Sequence, residues 1–369
     1  MRVLVVNAGS SSLKLSALGA DDAALWTADL PMPEPGSTGE VVQEALRDVP
    51  RVDAVGHRVV HGGLEFTSPL LLETAVESRL EHLAELAPLH NPAAIAAIVS
   101  LRSLWPDLPQ VACFDTAFHT TMPPEASTYA LPDTWRDLGL RRFGFHGLSH
   151  AWASRRALEL LGSPPGSLRL VTAHLGSGAS LAAVAEGRSV DTTMGFTPLE
   201  GLVMATRAGT VDPGVVLWLL RHAQVTVDEL EDTLDRRSGL LGLSGVSSDL
   251  RAVLDAADRG ERRAALAFGV YVHRLRAGVA AMAAAMAGMD GLVFTGGAGE
   301  GSARLRRDAC GGLGFLGVEL DDDRNEDDGH HGADRVVSSP GKVPAVLVVH
   351  AREDLEIARQ VRGLLAPPR

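Results

Sequence analysis

The chain has 369 residues, 46% of them hydrophobic, which is enough to bury a large core and predicts two domains. Its formal net charge is −12 and it has no basic tail, so nonspecific nucleic-acid binding is not expected. No apolar run reaches membrane-spanning length, no signal peptide is recognised, and Cys113 and Cys310 lack metal-site spacing. We therefore expect a cytoplasmic protein that contacts neither nucleic acid nor membrane.

The first predicted elements are two strands joined by a turn of small residues. RVLVV is a short, β-branched apolar run, and LKLSAL begins to alternate between apolar and polar positions. Residues 7–12, between the two strands, are all small. Such a turn gathers backbone N–H groups and hydroxyls, which suits a phosphate chain, although an ordinary hairpin turn has the same composition.

This pattern recurs in the second half of the chain. Residues 169–193 again predict strand, glycine-rich turn, strand, turn and strand. Aligning the two glycine-rich turns places His174 over Asn7 and Gly176 over Gly9. The repeat predicts two similar α/β domains that each present a turn to a cleft between them, with chance similarity of two turns as the alternative.

The rest of the chain alternates helical patterns with short buried strands. Helical periodicity covers AVESRLEHLAELAPLH, NPAAIAAIVSLRSLW, PGVVLWLLRHA, VDELEDTLDRR, residues 247–286, SARLRRDAC and EDLEIARQVRGLL. Further strands are predicted at QVACF, GLVFT and PAVLVV. The Ala-rich segment 277–289 is expected to pack inside the protein. The acidic segment 321–334, with two adjacent histidines, is expected to be a solvated loop rather than a metal site.

A second glycine-rich stretch, GGAGEG, occupies residues 296–301 between a predicted strand and a predicted helix. Its glycines would let the backbone approach a nucleotide closely, but tight strand–helix turns also use glycine for packing. The chain contains no GxxxxGK[ST] motif, which excludes a P-loop enzyme.

Four residues are candidates for chemistry. Arg58 lies within an apolar strand and Arg207 lies in the small-residue stretch MATRAGTVDPG. Each is either a structural ion pair or an anion clamp, and the lack of an acidic run nearby favours a carboxylate or phosphoryl ligand. His146, in FGFHGLSH, has a core histidine as its alternative. Asp115, at a strand end, would serve Mg²⁺ or a nucleophile, or else cap a helix.

Several motifs, taken in order, resemble those of the acetate kinase family. They are NAGSSSLK, GHRVVHGG, PLHNP, FDTAFH, FGFHGLSH, HLGSGAS, MATRAGTVDPG, SSDLR, FTGGAGEGS and the RED between the last predicted strand and helix, and they span essentially the whole chain. The resemblance implies an α/β fold of two duplicated actin-like (ribonuclease H-like) domains with a cleft between them. It places residues 1–116 and 355–369 in a first domain on the acyl-substrate side. Residues 117–354 would form a second, nucleotide-binding and dimerising domain.

The resemblance also implies roles for individual residues. Arg58 and Arg207 would hold the acyl carboxylate and the transferring phosphoryl group, and His146 would donate a hydrogen bond to that group. Asp115 would orient the substrate or help hold Mg²⁺, which Asn7 and Glu353 would also contact. The nucleotide-binding residues would be Asn7, Ser10, Ser12, Lys14, His174, Gly176, Ser177, Gly178, Asp249, Arg251, Gly297, Ala298, Gly299 and Gly301. The acyl pocket would comprise Arg58, Val60, Leu89, His90, Phe145 and Pro198, with Thr206 close by.

The implied activity is reversible, direct in-line phosphoryl transfer from ATP to acetate, which gives acetyl phosphate and ADP. Mg²⁺ would be the cofactor, with Mn²⁺ as a substitute, and the chain would form a homodimer, with segment 277–289 as a candidate interface. The alternatives are a propionate or butyrate kinase of the same family and a non-catalytic actin-like nucleotide-binding regulator.

The chain departs from the family pattern at three places. Ser177 stands where the family usually has Asn, and Ala179 where it usually has Ser. Gly301 stands where Asn is usual, and the segment before Arg58 is shorter than in the family. The four catalytic candidates are intact, so these departures bear on nucleotide affinity and choice more than on activity.

Overall fold

The protein is described here by a computed structural model covering residues 1–8, 12–31, 38–73, 76, 78–80, 91–326 and 333–366. The chain divides into two compact units. Unit 1 comprises Met1–Thr120, Phe145–Trp152 and Arg352–Arg369, and unit 2 comprises Thr121–Gly144 and Ala153–Ala351. The functions assigned to the two predicted domains, 1–116 with 355–369 and 117–354, stay predictions.

Unit 1 contains a six-stranded sheet. Its strands are β1 (Val3–Ala8), β2 (Ser12–Leu18), β3 (Ala24–Pro31), β4 (Ala54–Val59), β5 (Leu70–Leu71) and β6 (Gln110–Phe114). The order across the sheet is β3-β2-β1-β4-β6-β5, with β1, β4 and β6 parallel to one another. The central strand β1 is apolar at successive positions because both of its faces are buried.

Unit 2 contains a second six-stranded sheet. Its strands are β7 (Leu170–Leu175), β8 (Ala179–Ala185), β9 (Arg188–Thr192), β10 (Gly291–Thr295), β11 (Arg335–Val336) and β12 (Ala345–Val348). Read from the other edge, the order is β9-β8-β7-β10-β12-β11, with β7, β10 and β12 parallel.

The described α-helices are short except for one of 24 residues. They are α1 (Thr38–Ala45), α2 (Asn91–Leu104), α3 (Pro124–Ser127), α4 (Asp133–Arg136), α5 (Gly147–Leu160), α6 (Pro213–His222), α7 (Val227–Arg236), α8 (Gly239–Ser244), α9 (Leu250–Asp258), α10 (Arg262–Ala285), α11 (Gly296–Gly301), α12 (Ala303–Gly311), α13 (Asp322–Glu326) and α14 (Glu353–Leu365). None of the helices in the described ranges is both long and apolar enough to traverse a lipid bilayer.

The two sheets confirm the predicted duplication. Val3 of β1 pairs with Ala54 of β4, and Leu170 of β7 pairs with Gly291 of β10. Counting along β1 and β7 from these pairs makes Asn7 equivalent to His174, as the sequence alignment of the two turns predicted. At one edge of each sheet a two-residue strand pairs antiparallel with its neighbour: β5 with β6 in unit 1 and β11 with β12 in unit 2.

Two sequence predictions need correction. Residues 296–301, predicted as a turn, form the short helix α11, because the strand β10 runs directly into it. The acidic segment 321–334 was predicted as a loop, yet its first part forms α13, where the side chain of Asn325 is buried. His330 and His331 of that segment lie outside the described residues. The Ala-rich segment is helical as far as Ala285 and buries Val279, Met282 and Ala283, but Ala281 and Ala284 are exposed, so it packs inside the protein on one face only.

Candidate active site

Three strand ends of unit 1 place polar side chains at one edge of its sheet. Asn7 lies near the end of β1, Arg58 near the end of β4, and Asp115 directly follows β6. Because these strands are parallel, their carboxyl ends meet at the same edge. The first residue of α14, Glu353, also reaches this group, so residues from four distant parts of the sequence converge.

Arg58 and Asp115 form a bidentate ion pair. The Nη2 atom of Arg58 donates to Oδ2 of Asp115 at 2.7 Å, and its Nε atom lies 3.1 Å from both carboxylate oxygens. The Asp115 side chain is 1% exposed and that of Arg58 is 11% exposed. The sequence showed no acidic partner for Arg58, because this partner comes from another strand.

The remaining guanidinium nitrogen of Arg58 faces two other side chains. Its Nη1 donates to Oδ1 of Asn7 at 3.0 Å and to Oε2 of Glu353 at 3.4 Å. The Nδ2 amide of Asn7 donates to the same Glu353 oxygen at 2.8 Å. Asn7 and Glu353 thus present oxygen atoms beside one cation, with the Glu353 side chain 14% exposed.

Burial and charge act on these groups in opposite directions. Burial by itself lowers the pKa of Arg58, but the charges of Asp115 and Glu353 raise it by more than burial lowers it. The net shift of the pKa is upward, and the guanidinium stays charged. Burial raises the pKa of the Asp115 carboxyl, and the Arg58 charge opposes that rise. Asp115 therefore depends on Arg58 for its ionised form.

The loop that carries His146 packs directly against Asp115. His146 has a φ of +56°, a left-handed conformation that is uncommon outside glycine, and its backbone N–H bonds to the Asp115 carboxylate. The next residue, Gly147, donates its N–H to the Asp115 carbonyl at 2.9 Å. A Cβ at Gly147 would lie 2.1 Å from that carbonyl oxygen, so only glycine fits. On the other side of His146, Phe145 is buried and meets the ring of His61 at 5.3 Å, edge to face.

A buried polar layer behind Arg58 was missed by the sequence analysis. Asn91 accepts the His61 N–H and donates to the His61 carbonyl, both at 3.2 Å. Thr116 accepts the Gly62 N–H at 3.0 Å, so the segment after β4 is held on two sides. The signal was present in the sequence: the motifs GHRVVHGG, PLHNP and FDTAFH each supply one member of this layer.

In unit 2, the glycine turn after β7 is joined to the loop that carries Arg207. The turn closes with a hydrogen bond from the Gly176 N–H to the Gly178 carbonyl at 2.9 Å. The Ser177 carbonyl then accepts the Ala205 N–H at 3.1 Å. This bond holds the predicted second phosphate turn and the Arg207 loop together.

Arg207 is largely enclosed, with its side chain 13% exposed. Its Nη1 donates to the Pro198 carbonyl at 3.3 Å, and its Nε lies 3.9 Å from Asp235, a loose ion pair. Burial lowers the pKa of Arg207 and the Asp235 charge opposes that shift. Arg207 thus has a more distant carboxylate partner than Arg58.

The short helix α11 packs against the end of β7. Gly296 has a φ of +78°, and a Cβ there would lie 2.9 Å from backbone atoms of Leu175, the residue after His174. The Glu300 carboxylate accepts the Gly296 N–H at 2.7 Å and the Ala351 N–H at 2.9 Å. Within unit 2, the predicted nucleotide residues 174–178 and 297–301 therefore lie at neighbouring strand ends.

The remaining predicted site residues lie outside these hydrogen-bonded clusters or outside the described residues. Asp249 caps α9 and pairs with Arg251, and the two side chains are 47% and 87% exposed. Ser12 begins β2, where Lys14 pairs with Asn7 across the hairpin, and Val60 is buried just after β4. Ser10, Leu89 and His90 lie outside the described residues.

The repeated sheet order, with polar side chains at equivalent strand ends, defines a protein of the duplicated actin-like class. A solved structure of a ROK family protein from Streptococcus pneumoniae shares this fold, with a TM-score of 0.50 at 12% identity over 99% of each chain. The sequence model of the acetokinase family matches residues 39–359. The chain belongs to the acetokinase family.

Relatives of known name agree with this placement. An acetate kinase from Synechococcus is 45% identical over 406 aligned positions that cover 99% of both chains. The solved acetate kinase from Porphyromonas gingivalis is 39% identical, with a TM-score of 0.90 over 99% of each chain. A solved propionate kinase from Francisella tularensis is 33% identical, with a TM-score of 0.88 over 97% of this chain and 98% of that one.

Proposed function

We propose that the protein is an acetate kinase that transfers a phosphoryl group reversibly between ATP and acetate, giving acetyl phosphate and ADP. The observation that carries this proposal is the enclosed cluster of Arg58, Asp115, Asn7 and Glu353, in a chain 45% identical to an acetate kinase along its whole length. A nucleotide-binding regulator would not need a guanidinium held in this way, because it has no carboxylate substrate to bind.

The chemistry requires neutralisation of charge rather than a strong base. An acetate carboxylate is already a nucleophile at neutral pH, and the barrier comes from bringing it to a phosphoryl group that becomes planar in transit. In this proposal Asp115 fixes the Nε–Nη2 edge of Arg58, so that the guanidinium charge is held in one place for the anion. Arg207 supplies a second cation and His146 donates a hydrogen bond to the phosphoryl oxygens.

The glycine-rich elements of unit 2 would hold the nucleotide. His174 with Gly176, Ser177 and Gly178 would face the β- and γ-phosphates, and Gly297, Ala298, Gly299 and Gly301 would lie under the ribose and α-phosphate. Asp249 and Arg251 would border the adenosine. Asn7, Ser10, Ser12 and Lys14 would form the first phosphate loop, as the family resemblance implies.

The donor set at Arg58 fits a magnesium ion that is carried by the nucleotide. Asn7 and Glu353 offer hard oxygen ligands, which Mg²⁺ prefers, and Mg²⁺ commonly binds few protein groups and completes its shell with water and phosphate. Within the described ranges no group of three or more His, Cys, Asp or Glu side chains is placed to hold a metal. Bound there, Mg²⁺ or Mn²⁺ would offset negative charge on the phosphates, while Arg58 and Asn7 orient the Glu353 carboxylate.

The acyl pocket would be lined by Val60, Leu89, His90, Phe145 and Pro198. In unit 1, Phe145 is 1% exposed and Val60 is 6% exposed, so both are apolar side chains held in closely packed surroundings. Such a wall suits a methyl group. A propionate kinase is the second candidate, because the solved Francisella protein of that name is 33% identical to this chain.

The test is a hydroxamate-trapping assay with ATP, Mg²⁺ and acetate, propionate or butyrate. We expect the highest kcat/KM with acetate. Arg207→Ala should lower kcat at least about a hundredfold, as loss of one preorganised charge does. The control is Arg236→Ala, which removes an exposed arginine paired with Asp232 and should leave kcat unchanged. Absence of acyl phosphate from every acid would favour the regulator, and a higher kcat/KM with propionate would favour the second candidate.

We further propose that the chain forms a homodimer through α6 rather than through segment 277–289. In segment 277–289 the large apolar residues Val279, Met282, Met286 and Met289 are buried and only alanines are exposed, whereas α6 has no buried residue and exposes Leu217 at 49% and Trp218 at 57%. An apolar helix left uncovered in this way indicates an interface. Trp218→Glu should sediment as a monomer, while Trp135→Glu, at a similarly exposed tryptophan, should sediment like the native protein.

A further inference from the structure

The helix α11 is a poor candidate to hold its own shape. Four of its six residues are glycine, and glycine loses more backbone entropy on ordering than any other residue. A helix of this length is also too short to be stable by its own hydrogen bonds. Its conformation must therefore be imposed by neighbouring groups.

One neighbouring group is the guanidinium of Arg306, on the following helix α12. Arg306 is 1% exposed and is among the largest fully buried side chains described. Its Nη1 donates to the carbonyl of Gly299 at 2.9 Å and to that of Glu300 at 2.7 Å. These carbonyls lie at the carboxyl-terminal end of α11, where a positive charge also complements the helix dipole.

The other side of the guanidinium is held by Asn325 of α13. Nε of Arg306 donates to Oδ1 of Asn325 at 2.7 Å, and Nη2 donates to the Asn325 carbonyl at 2.9 Å. The Asn325 amide donates in turn to the Ala303 carbonyl at 2.9 Å. Each of these hydrogen-bond partners of Arg306 is thus a neutral oxygen, and four bonds fix the orientation of the guanidinium.

Enclosure of this cation is costly, which argues for a role beyond filling space. Burial lowers the pKa of Arg306 to about 10, with the Arg335 charge adding to the shift. The group is still protonated at neutral pH, so its charge and donors are retained. An uncharged side chain of similar volume would fill the position without this cost.

We propose that Arg306 is a positioning residue for the nucleotide, holding α11 in its binding conformation without touching the substrate. This inference rests on the proposed function, in which residues 297–299 lie under the ribose and α-phosphate. Freed from Arg306, α11 would sample many conformations, and nucleotide binding would have to order it.

The test compares Arg306→Gln and Arg306→Lys with the control Arg307→Gln. Arg307 is the adjacent arginine, 40% exposed and paired with Asp322. Its loss removes the same charge without breaking the hydrogen bonds from Arg306 to α11 and Asn325. Removing a buried hydrogen-bonding partner typically costs enough to weaken binding roughly tenfold. Arg306→Gln should therefore raise the calorimetric Kd for Mg-ADP roughly tenfold, with the KM for acetate unchanged. Arg306→Lys, which keeps the charge, should raise it less.

Hydrogen exchange supplies a readout that does not depend on turnover. Amide exchange across residues 296–301 should quicken in Arg306→Gln and Arg306→Lys and slow again when ADP is added. A folded Arg306 variant with native Kd for ADP, or one in which ADP and acetate binding weaken equally, would overturn the proposal. If Arg306→Gln does not fold, Arg306→Lys decides between these outcomes. Failure of native protein to bind ADP would instead reject the underlying function.

Discussion

Two of the three guanidinium nitrogens of Arg58 donate hydrogen bonds to the Asp115 carboxylate. The third, Nη1, faces away from Asp115 toward Asn7 and Glu353. The pair is nearly enclosed, so each charge relies on the other for the stabilisation that water would otherwise give. Removal of either residue therefore alters both the chemistry at Nη1 and the protonation of its partner.

The first prediction concerns the pH dependence of Arg58→Ala. Loss of the guanidinium leaves Asp115 buried without its counterion, so the pKa of Asp115 should rise above its native value. The unfolding free energy should fall by about 3–5 kcal/mol at neutral pH, the usual cost of breaking a buried pair. A carboxyl pKa that is higher in the folded than in the unfolded state costs stability only where the unfolded chain is ionised. The loss should therefore shrink as the pH falls from the raised pKa of Asp115 toward the pKa of the unfolded chain. Denaturant titrations from pH 4 to 8 measure it.

The double variant Arg58→Ala with Asp115→Asn is the matched control. It should recover stability at neutral pH, because no buried charge is left unpaired, yet its kcat should stay at least about a hundredfold below native. A stability loss in Arg58→Ala that does not vary with pH would contradict the dependence of Asp115 on Arg58.

The second prediction separates the His146 side chain from its backbone. His146 has a φ of +56°, which Asn tolerates better than Ala, so His146→Asn removes the imidazole while keeping the loop. If the imidazole stabilises the transition state, kcat should fall roughly a hundredfold while KM changes little. Steady-state kinetics and the thermal midpoint are measured together. Loss of folding with no separate effect on kcat would identify a core histidine instead.

The third prediction concerns nucleotide choice at Gly301. Without the Asn side chain usual in the family, the protein should accept GTP and ITP within about tenfold of ATP in kcat/KM, mainly through KM. Nothing lies within 4 Å of a Cβ built on Gly301, so Gly301→Asn fits and should restore preference for ATP. The control is Gly311→Asn, at an equally open glycine. A native preference for ATP far above tenfold would contradict this prediction.

The fourth prediction concerns acid stability. Burial lowers the pKa of His57 to about 4, although its bond to Gln110 at 2.8 Å opposes the shift, and burial also lowers the pKa of His119 to about 4. The unfolded chain binds these protons near pH 6.5, so stability should fall between pH 6.5 and 4, by about 3 kcal/mol for each histidine. The double variant His57→Leu with Gln110→Leu should show a shallower decline in unfolding free energy. An unchanged slope would exclude His57 as a cause.

Local pattern in the sequence was enough to predict most elements and the duplication. The apolar runs of β1 and β7, each followed by small residues, predicted two hairpins, and the sheets place Asn7 and His174 at equivalent positions. Strands and helix starts follow from residues that are close in sequence, such as the cap of α7 by Thr226 with Glu229. That is why these features can be predicted without a structure.

Pairing between distant residues was decided by the tertiary structure alone. Arg306 and Arg307 are adjacent and chemically identical, yet helix α12 turns one toward α11 and Asn325 and the other toward solvent. Likewise, the Asp115 and Glu353 partners of Arg58 arrive from other elements of unit 1. The sequence showed that Arg58 and Arg207 lie in small or apolar surroundings, but it did not single out Arg306. Which oxygen atoms they meet depends on how strands and helices pack, because the free energy of burying a charge is set by neighbours that are distant in the chain.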